Sequence, residues 1–346
     1  MLDIGILFMF RNPPFNSSDW ASIYRHELDH AVAAETLGYD HVWLSEHHFV
    51  EDGYSPSVLP IAAAIAARTE RVRIGTYVLL LPLHNPVRVA EDAATVDVIS
   101  NGRFDLGVGL GYRPGEFTGM GISSKERGAR LAEGLPLVQA MLNGEKVSHD
   151  GRFNQYTDVQ LFPPAVQQPF PIWVGARGDK ALDRAARLGC HLASTGLVEH
   201  RLKYIEALQK HGRNPDDFNV AHLLICYVAD TDEQAWEECA EPLHHVMSEY
   251  QKWAEESGDA TGDGVAESVV PSPEALKKTR YCESFGRSAI IGSPETVLEQ
   301  LLAAHEESPG THLTLMMSLP GAEPSRTRHS MELFASEVMP RLKAQT

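Results

Sequence analysis

The chain has 346 residues, 43% of them apolar, enough to bury a sizeable core in one large domain or two ordinary ones. Its 47 Asp and Glu outweigh 30 Lys and Arg, a net charge of −17, which argues against nucleic acid and anionic membrane surfaces as partners because both are bound through Lys and Arg. No apolar run approaches the ~18 residues of a membrane span, no basic leader is visible, and the four cysteines (Cys190, Cys226, Cys239, Cys282) show no paired spacing, so a cytoplasmic protein with reduced thiols is expected.

In chain order, short apolar runs predict strands at residues 3–10, 41–44, 72–81, 104–109, 171–175, 191–194, 220–229 and 312–317. Most are continuously apolar rather than alternating, as strands buried on both faces are. Helical spacing lies between them. Trp20, Ile23, Tyr24, Leu28 and Ala31 share a face, as do Val87, Ala90, Ala94 and Val98, and later Met331, Phe334, Val338 and Leu342. Ser123 with Glu126 reads as a capping box, and Ser293-Pro294-Glu295 places proline at a first helical position. Strands that alternate with helices pair in parallel through crossovers. A doubly wound open sheet competes, but eight repeats favour a closed (β/α)8 TIM barrel.

Two segments exceed the bare repeat of a single barrel domain over residues 1–346. Residues 144–169, with short β-like pieces and three prolines, read as an insertion before the fifth strand. Residues 230–268 carry twelve acids against one base, Lys252, so most of the net charge is local. The Gly- and Asp-rich end, 258–268, reads as a mobile loop. The acidic insertion as a whole, 230–286, reads as a solvated face or as a lid over the barrel mouth.

Three clusters could carry chemistry. Glu46-His47-His48 directly follows the second strand, whose end lies on the active-site face of a barrel. Two imidazoles and a carboxylate suit proton transfer or a metal. Neighbours on an extended chain point to opposite sides, and adding His84 reproduces no familiar zinc spacing, so no metal is expected and the cluster reads as a proton-transferring neutral histidine or as a structural, hydrogen-bonded pair. Gly107-Val108-Gly109-Leu110-Gly111 has the look of a dinucleotide fingerprint. The following Tyr112-Arg113-Pro114-Gly115 predicts no helix start, which excludes a Rossmann unit and leaves glycines that admit a flat ligand to the backbone. Gly175-Ala176-Arg177-Gly178, with Ala181 beyond, runs from a strand into a helix start. It is either a phosphate cradle with Arg177 adding charge, or a plain turn.

On several spaced motifs the chain resembles the bacterial luciferase-like flavin-dependent oxidoreductases. They are Val42-Trp43-Leu44-Ser45-Glu46-His47-His48-Phe49, Gly75-Thr76, Leu81-Pro82, Pro86-Val87-Arg88, Glu91-Asp92, Asp97, Ser100-Asn101-Gly102-Arg103-Phe104, residues 175–189 and residues 333–342. The resemblance implies a (β/α)8 barrel with insertions, a homo-oligomer, and reduced FMN, or in one branch a deazaflavin, at the C-terminal mouth. It matches His47 to the catalytic histidine. Tyr77 and Val78 match the pair joined by a non-prolyl cis peptide beside the flavin ring. Gly109 and Leu110 match a Cys-Arg pair lining the flavin, and Arg177, Gly178 and Ala181 match positions around its phosphate. Glu46, Gly175 and Ala176 complete the expected cofactor-binding set. Two departures matter: a glycine replaces the family's cysteine, and Leu110 replaces an arginine, leaving Arg113, Arg127 or Arg177 to hold the phosphate.

What the resemblance implies for function is a monooxygenase in which oxygen forms a hydroperoxide on reduced FMN and a small, mostly apolar organic substrate is oxygenated. The chain shows no nicotinamide fingerprint, which fits reduced flavin supplied by a separate reductase. A deazaflavin-dependent hydride-transfer enzyme is the alternative, and its acidic cofactor suits a net charge of −17 less well. A non-catalytic flavin-binding subunit is a third reading, against which His47 speaks.

Overall fold

The structure, a computed structural model, describes residues 2–257, 269–284 and 286–346. In chain order its strands are β1 (Asp3–Phe8), β2 (His41–Leu44), β3 (Arg73–Thr76), β4 (Phe104–Val108), β5 (Val147–Asp150), β6 (Gln155–Val159), β7 (Ile172–Gly175), β8 (His191–Ser194), β9 (Val220–Val228), β10 (Glu283–Ser284), β11 (Arg287–Ser288), β12 (Ile290–Gly292) and β13 (His312–Met316). Eight of them pair in parallel in the order β1-β2-β3-β4-β7-β8-β9-β13, and β13 pairs back onto β1. This ring is a closed (β/α)8 barrel, and each of its strands falls in one of the eight apolar runs. β12 lies outside the ring, on Cys226, Tyr227 and Val228 of β9, beyond the stretch that pairs with β13. β5–β6 and β10–β11 are small antiparallel hairpins.

The outer layer consists of α1 (Trp20–Leu37), α2 (Val58–Ala66), α3 (Pro86–Ser100), α4 (Pro114–Gly119), α5 (Arg127–Leu142), α6 (Asp179–Leu188), α7 (Val198–Lys210), α8 (Asp232–Ser257), α9 (Pro273–Thr279), α10 (Pro294–Glu307), α11 (Pro324–Leu333) and α12 (Met339–Lys343). The C-terminal seam of Met331, Phe334, Val338 and Leu342 is fully buried, and a π-helical turn at Phe334–Val338 joins α11 to α12. Among the described residues no helix is long and apolar enough to cross a membrane.

Local expectations divide. Ser293 caps α10 with Pro294 in its first turn. The Ser123 side chain caps nothing, and Glu126 instead meets Arg130 and Arg152, so the capping box does not form. The apolar run 72–81 is extended only to Thr76. Beyond it the Tyr77–Val78 peptide is cis, Leu79 makes a single bridge to Val108, and Leu81–Leu83 coils into a 3-10 turn. The run stays apolar because Leu79, Leu80, Leu81 and Leu83 are all buried, not because it continues as strand.

Strand residues two apart share a face, and the inward face of this barrel is aromatic. A Cβ on Gly75 would lie 2.2 Å from the Trp43 ring, and one on Gly5 would lie 3.0 Å from it. The two glycines therefore leave the space that the indole fills. Trp43 meets Tyr77 and Trp173 edge to face at 5.6 and 5.5 Å, a favoured aromatic geometry. The Tyr77 hydroxyl donates across the lumen to the carbonyls of Ser194 (2.6 Å) and Ala221 (3.1 Å). This layer separates the C-terminal mouth from the N-terminal end.

Candidate active site

The chain leaves β2 at Leu44, and Ser45, Glu46, His47 and His48 all remain buried. The two histidines part company, as expected of neighbours. His48 Nε2 lies 2.5 Å from Glu46 Oε1, and His84 Nε2 lies 2.6 Å from the same oxygen. Glu46 Oε2 accepts the Leu80 N–H at 2.6 Å. Burial pushes the Glu46 carboxyl up, but these hydrogen bonds and the two imidazoles outweigh it and hold it down at about 2. Burial likewise works to lower the His84 pKa, and Glu46 overcomes it and raises it. The three residues bring one potential ligand atom each within 4.8 Å of one another. Those atoms already satisfy one another as a hydrogen-bonded hub.

His47 is held elsewhere. Its Nδ1 lies 2.7 Å from Glu116 Oε1, which also accepts the His48 backbone N–H at 3.0 Å. Glu116 is fully buried in α4, a six-residue helix with Pro114 in its first turn. Sequence reasoning expected no helix here and so missed Glu116. The available signals were proline followed by an acid, which suit the start of a helix. With Nδ1 donating to Glu116, the tautomer is set and Nε2 is left for proton exchange.

An aromatic shell encloses the imidazole: Tyr54 at 4.5 Å, Trp253 at 4.8 Å and Tyr112 at 5.8 Å between ring centroids. The Tyr54 hydroxyl bonds that of Tyr250. Two guanidinium groups press on this shell. Arg11 lies over Tyr54 (4.7 Å) and pairs with Asp52, which also meets His245 at 2.8 Å. Arg113 lies over Trp253 (4.6 Å) and donates to the His48 carbonyl at 3.0 Å. His245, Tyr250 and Trp253 all come from α8, the acidic helix. Its Glu237 and Glu241 are exposed while Trp236, Leu243 and Trp253 are buried. The remaining acidic stretch, residues 258–268, lies outside the described residues.

The expected cofactor residues fall into two groups joined by Val78. A Cβ on Gly109 would sit 2.3 Å from Val78 Cγ2, one on Gly175 3.3 Å from Val78 Cγ1, and one on Gly107 1.9 Å from the Thr76 carbonyl oxygen. Gly107 and Gly109 thus make room for the chain's own Thr76 and Val78. Leu110 is half-buried against the main core. Past Gly175, Ala176 is buried and Arg177 and Gly178 are exposed. Gly178 begins α6 with no side chain capping it, and Ala181 N–H bonds the Gly178 carbonyl at 2.8 Å. Burial raises the Tyr77 and Tyr112 hydroxyls, and the Arg177 charge works against that rise. Arg113 is buried and donates to the His48 carbonyl.

The family model described as luciferase-like monooxygenase matches residues 2–312, and the chain belongs to that family. It is 26% identical over 335 residues to the oxygenase component of the flavin-dependent trigonelline monooxygenase of Acinetobacter baylyi, spanning 92% of this chain and 89% of the relative. It is 30% identical over 306 residues to an F420-dependent glucose-6-phosphate dehydrogenase of Microbacterium testaceum, spanning 81% and 90%. The crystal structure of the monooxygenase RslO1 from Streptomyces bottropensis superposes with a TM-score of 0.83 at 25% identity, over 98% of this chain and 99% of that one. The chain is therefore an oxidoreductase of the luciferase-like family.

Proposed function

We propose that this protein is a monooxygenase that uses reduced FMN and molecular oxygen to oxygenate a small, mostly apolar organic substrate, with reduced FMN delivered by a separate reductase. The observation that carries the reading is the buried His47–Glu116 pair inside an aromatic shell at the barrel mouth. His47 Nε2 gives or takes the proton at the substrate, and Glu116 orients the ring and fixes its tautomer. Tyr54, Tyr112 and Trp253 exclude water and offer flat apolar faces to the substrate. FMN, when bound, supplies the electrons that activate oxygen. The residues present fit it: Val78 lies between Gly109 and Gly175 under the mouth, and the uncapped start of α6 with Arg177 beside it suits a phosphate. Among the described residues of the acidic segment, the end of α8, with Tyr250 and Trp253, covers the site. The protein acts in the cytoplasm as a homo-oligomer.

Hydride transfer with a deazaflavin is the second reading, favoured by the 30% identity to an F420-dependent dehydrogenase. Anaerobic titration with reduced FMN and with reduced deazaflavin separates the two. Preferred binding of reduced FMN, followed by substrate-dependent oxygen uptake with a generic flavin reductase, supports the monooxygenase. Preference for the deazaflavin without oxygen uptake supports the other.

A further inference from the structure

The N-terminal end of the barrel carries side chains that the proposed oxidation does not use. The two-residue period that turns Trp43, Gly75 and Gly107 inward also turns His41, Arg73 and Asp105 inward, one layer closer to the strand starts. Together with Asp3, His191 and His312 they line a cavity of about 360 Å³. The aromatic layer closes its inner wall. His41 stacks flat on Trp43 at 5.1 Å, and Trp173 packs on His191 and His312, both at 4.9 Å.

One ring nitrogen each of His41 and His312 and one carboxylate oxygen of Asp3 lie within 4.8 Å of one another. We propose that Asp3, His41 and His312 form a binding site for a divalent transition metal ion, with zinc the best match, that ties β1, β2 and β13 together. Two imidazoles and a carboxylate, with water as the fourth ligand, are a familiar zinc set. Three further features support it. His312 Nε2 is 3.3 Å from Asp3 Oδ2, while its Nδ1 meets Thr311 Oγ1 at 2.8 Å, the outer contact that metal-bound histidines usually have. The His41 Nδ1 atom is buried without a hydrogen-bond partner, a state that costs free energy unless a ligand relieves it. Arg73 is taken up by Asp105 at 2.7 Å and Gln167 at 3.0 Å and Lys343 by Asp40 at 2.6 Å, while His41 Nε2 lies a longer 3.7 Å from Asp105 Oδ2. The Glu46–His48–His84 hub is different, because its atoms are already bonded to one another. The sequence gives no hint of the site, since its ligands come from the first, second and last barrel strands and form no short motif.

The test uses the full chain after chelator treatment. Zn2+ is titrated by calorimetry, and Co2+ is followed by its visible absorption. One equivalent is expected, together with a rise in melting temperature from binding to the folded state alone. Asp3→Asn and His312→Gln should each weaken binding by at least roughly 10–100-fold, the range seen even for outer-contact changes. Asp3 is partly exposed and asparagine keeps its volume, so this variant decides the matter even if His312→Gln folds poorly. His84→Gln, at the other end of the barrel, should keep the equivalent. Absence of saturable binding overturns the proposal. So does binding that survives in Asp3→Asn, or that is lost in His84→Gln.

Discussion

His47 and Glu116 make the sharpest claims at the scale of single residues. His47→Ala should keep the fold and bind reduced FMN yet lose product formation by ~10²–10⁴-fold, the usual contribution of a positioned acid–base group. Oxygen should still be consumed and appear as hydrogen peroxide. Parallel measurement of product and oxygen uptake checks this, and full coupled turnover would remove His47 from the chemistry. Glu116→Gln should also lower turnover, by up to the ~10⁴-fold seen when the carboxylate of a serine protease triad is neutralised, and should shift the pH profile. A merely structural Glu116 would leave that profile in place. Glu46→Gln is a different experiment. It leaves a buried hub without its charge, so a loss of about 3–5 kcal/mol in urea unfolding is expected. Of these residues, Glu46 and His47 were legible in the sequence because they directly follow a strand, and strand ends build a barrel's active face. Glu116 was not, because it meets His47 from 69 residues away on a helix too short to leave a periodic pattern.

Two elements frame the site. The α6 start should hold phosphate through backbone N–H groups and Arg177. Arg177→Ala should weaken FMN binding about 10–100-fold, the equivalent of one hydrogen bond to a charged group at ~1.5–3 kcal/mol, with melting temperature nearly unchanged. Fluorescence titration measures it, and unaltered affinity would move the role to Arg127. The glycine-to-helix transition at residues 175–181 was readable because local backbone preferences produce it. The second element, α8, was readable only as charge. Its acids mark the exposed face, but which buried residues reach the mouth depends on where the helix lies on the barrel. If α8 covers the bound substrate, reduced flavin and substrate together should slow amide hydrogen exchange at the end of α8, around Tyr250 and Trp253. Exchange that ligands leave unchanged would make α8 a fixed wall.

At the scale of the molecule, the buried Glu46 carboxylate sets the acid limit of stability. Its folded value is about 2, against an ordinary value of 4.5. Burial opposes this shift, and the His48 and His84 partners produce it. Lowered values mean that the unfolded chain takes up protons first. The stabilisation is therefore complete above pH 4.5 and is lost as pH falls toward 2. His84 has the opposite sign: its value is raised, so its share is complete below 6.5 and is lost as pH climbs through the folded value. Urea midpoints across pH should show both flanks, and Glu46→Gln should flatten its part of each.

The barrel itself could be read from the chain because burial of a strand on both faces is a local demand, met by a run of apolar residues, and eight such runs separated by helices leave few ways to pair. The same locality explains why β3 was read too long: Leu79, Leu80 and Leu81 are as buried in a turn as they would be in a strand. Contacts across the closed ring were beyond reach. The pairing of His47 with Glu116, the enclosure by Trp253 from α8, and the meeting of Asp3, His41 and His312 all join residues far apart in the chain. They depend on the register in which the strands close, which the whole packed barrel sets and no single segment encodes.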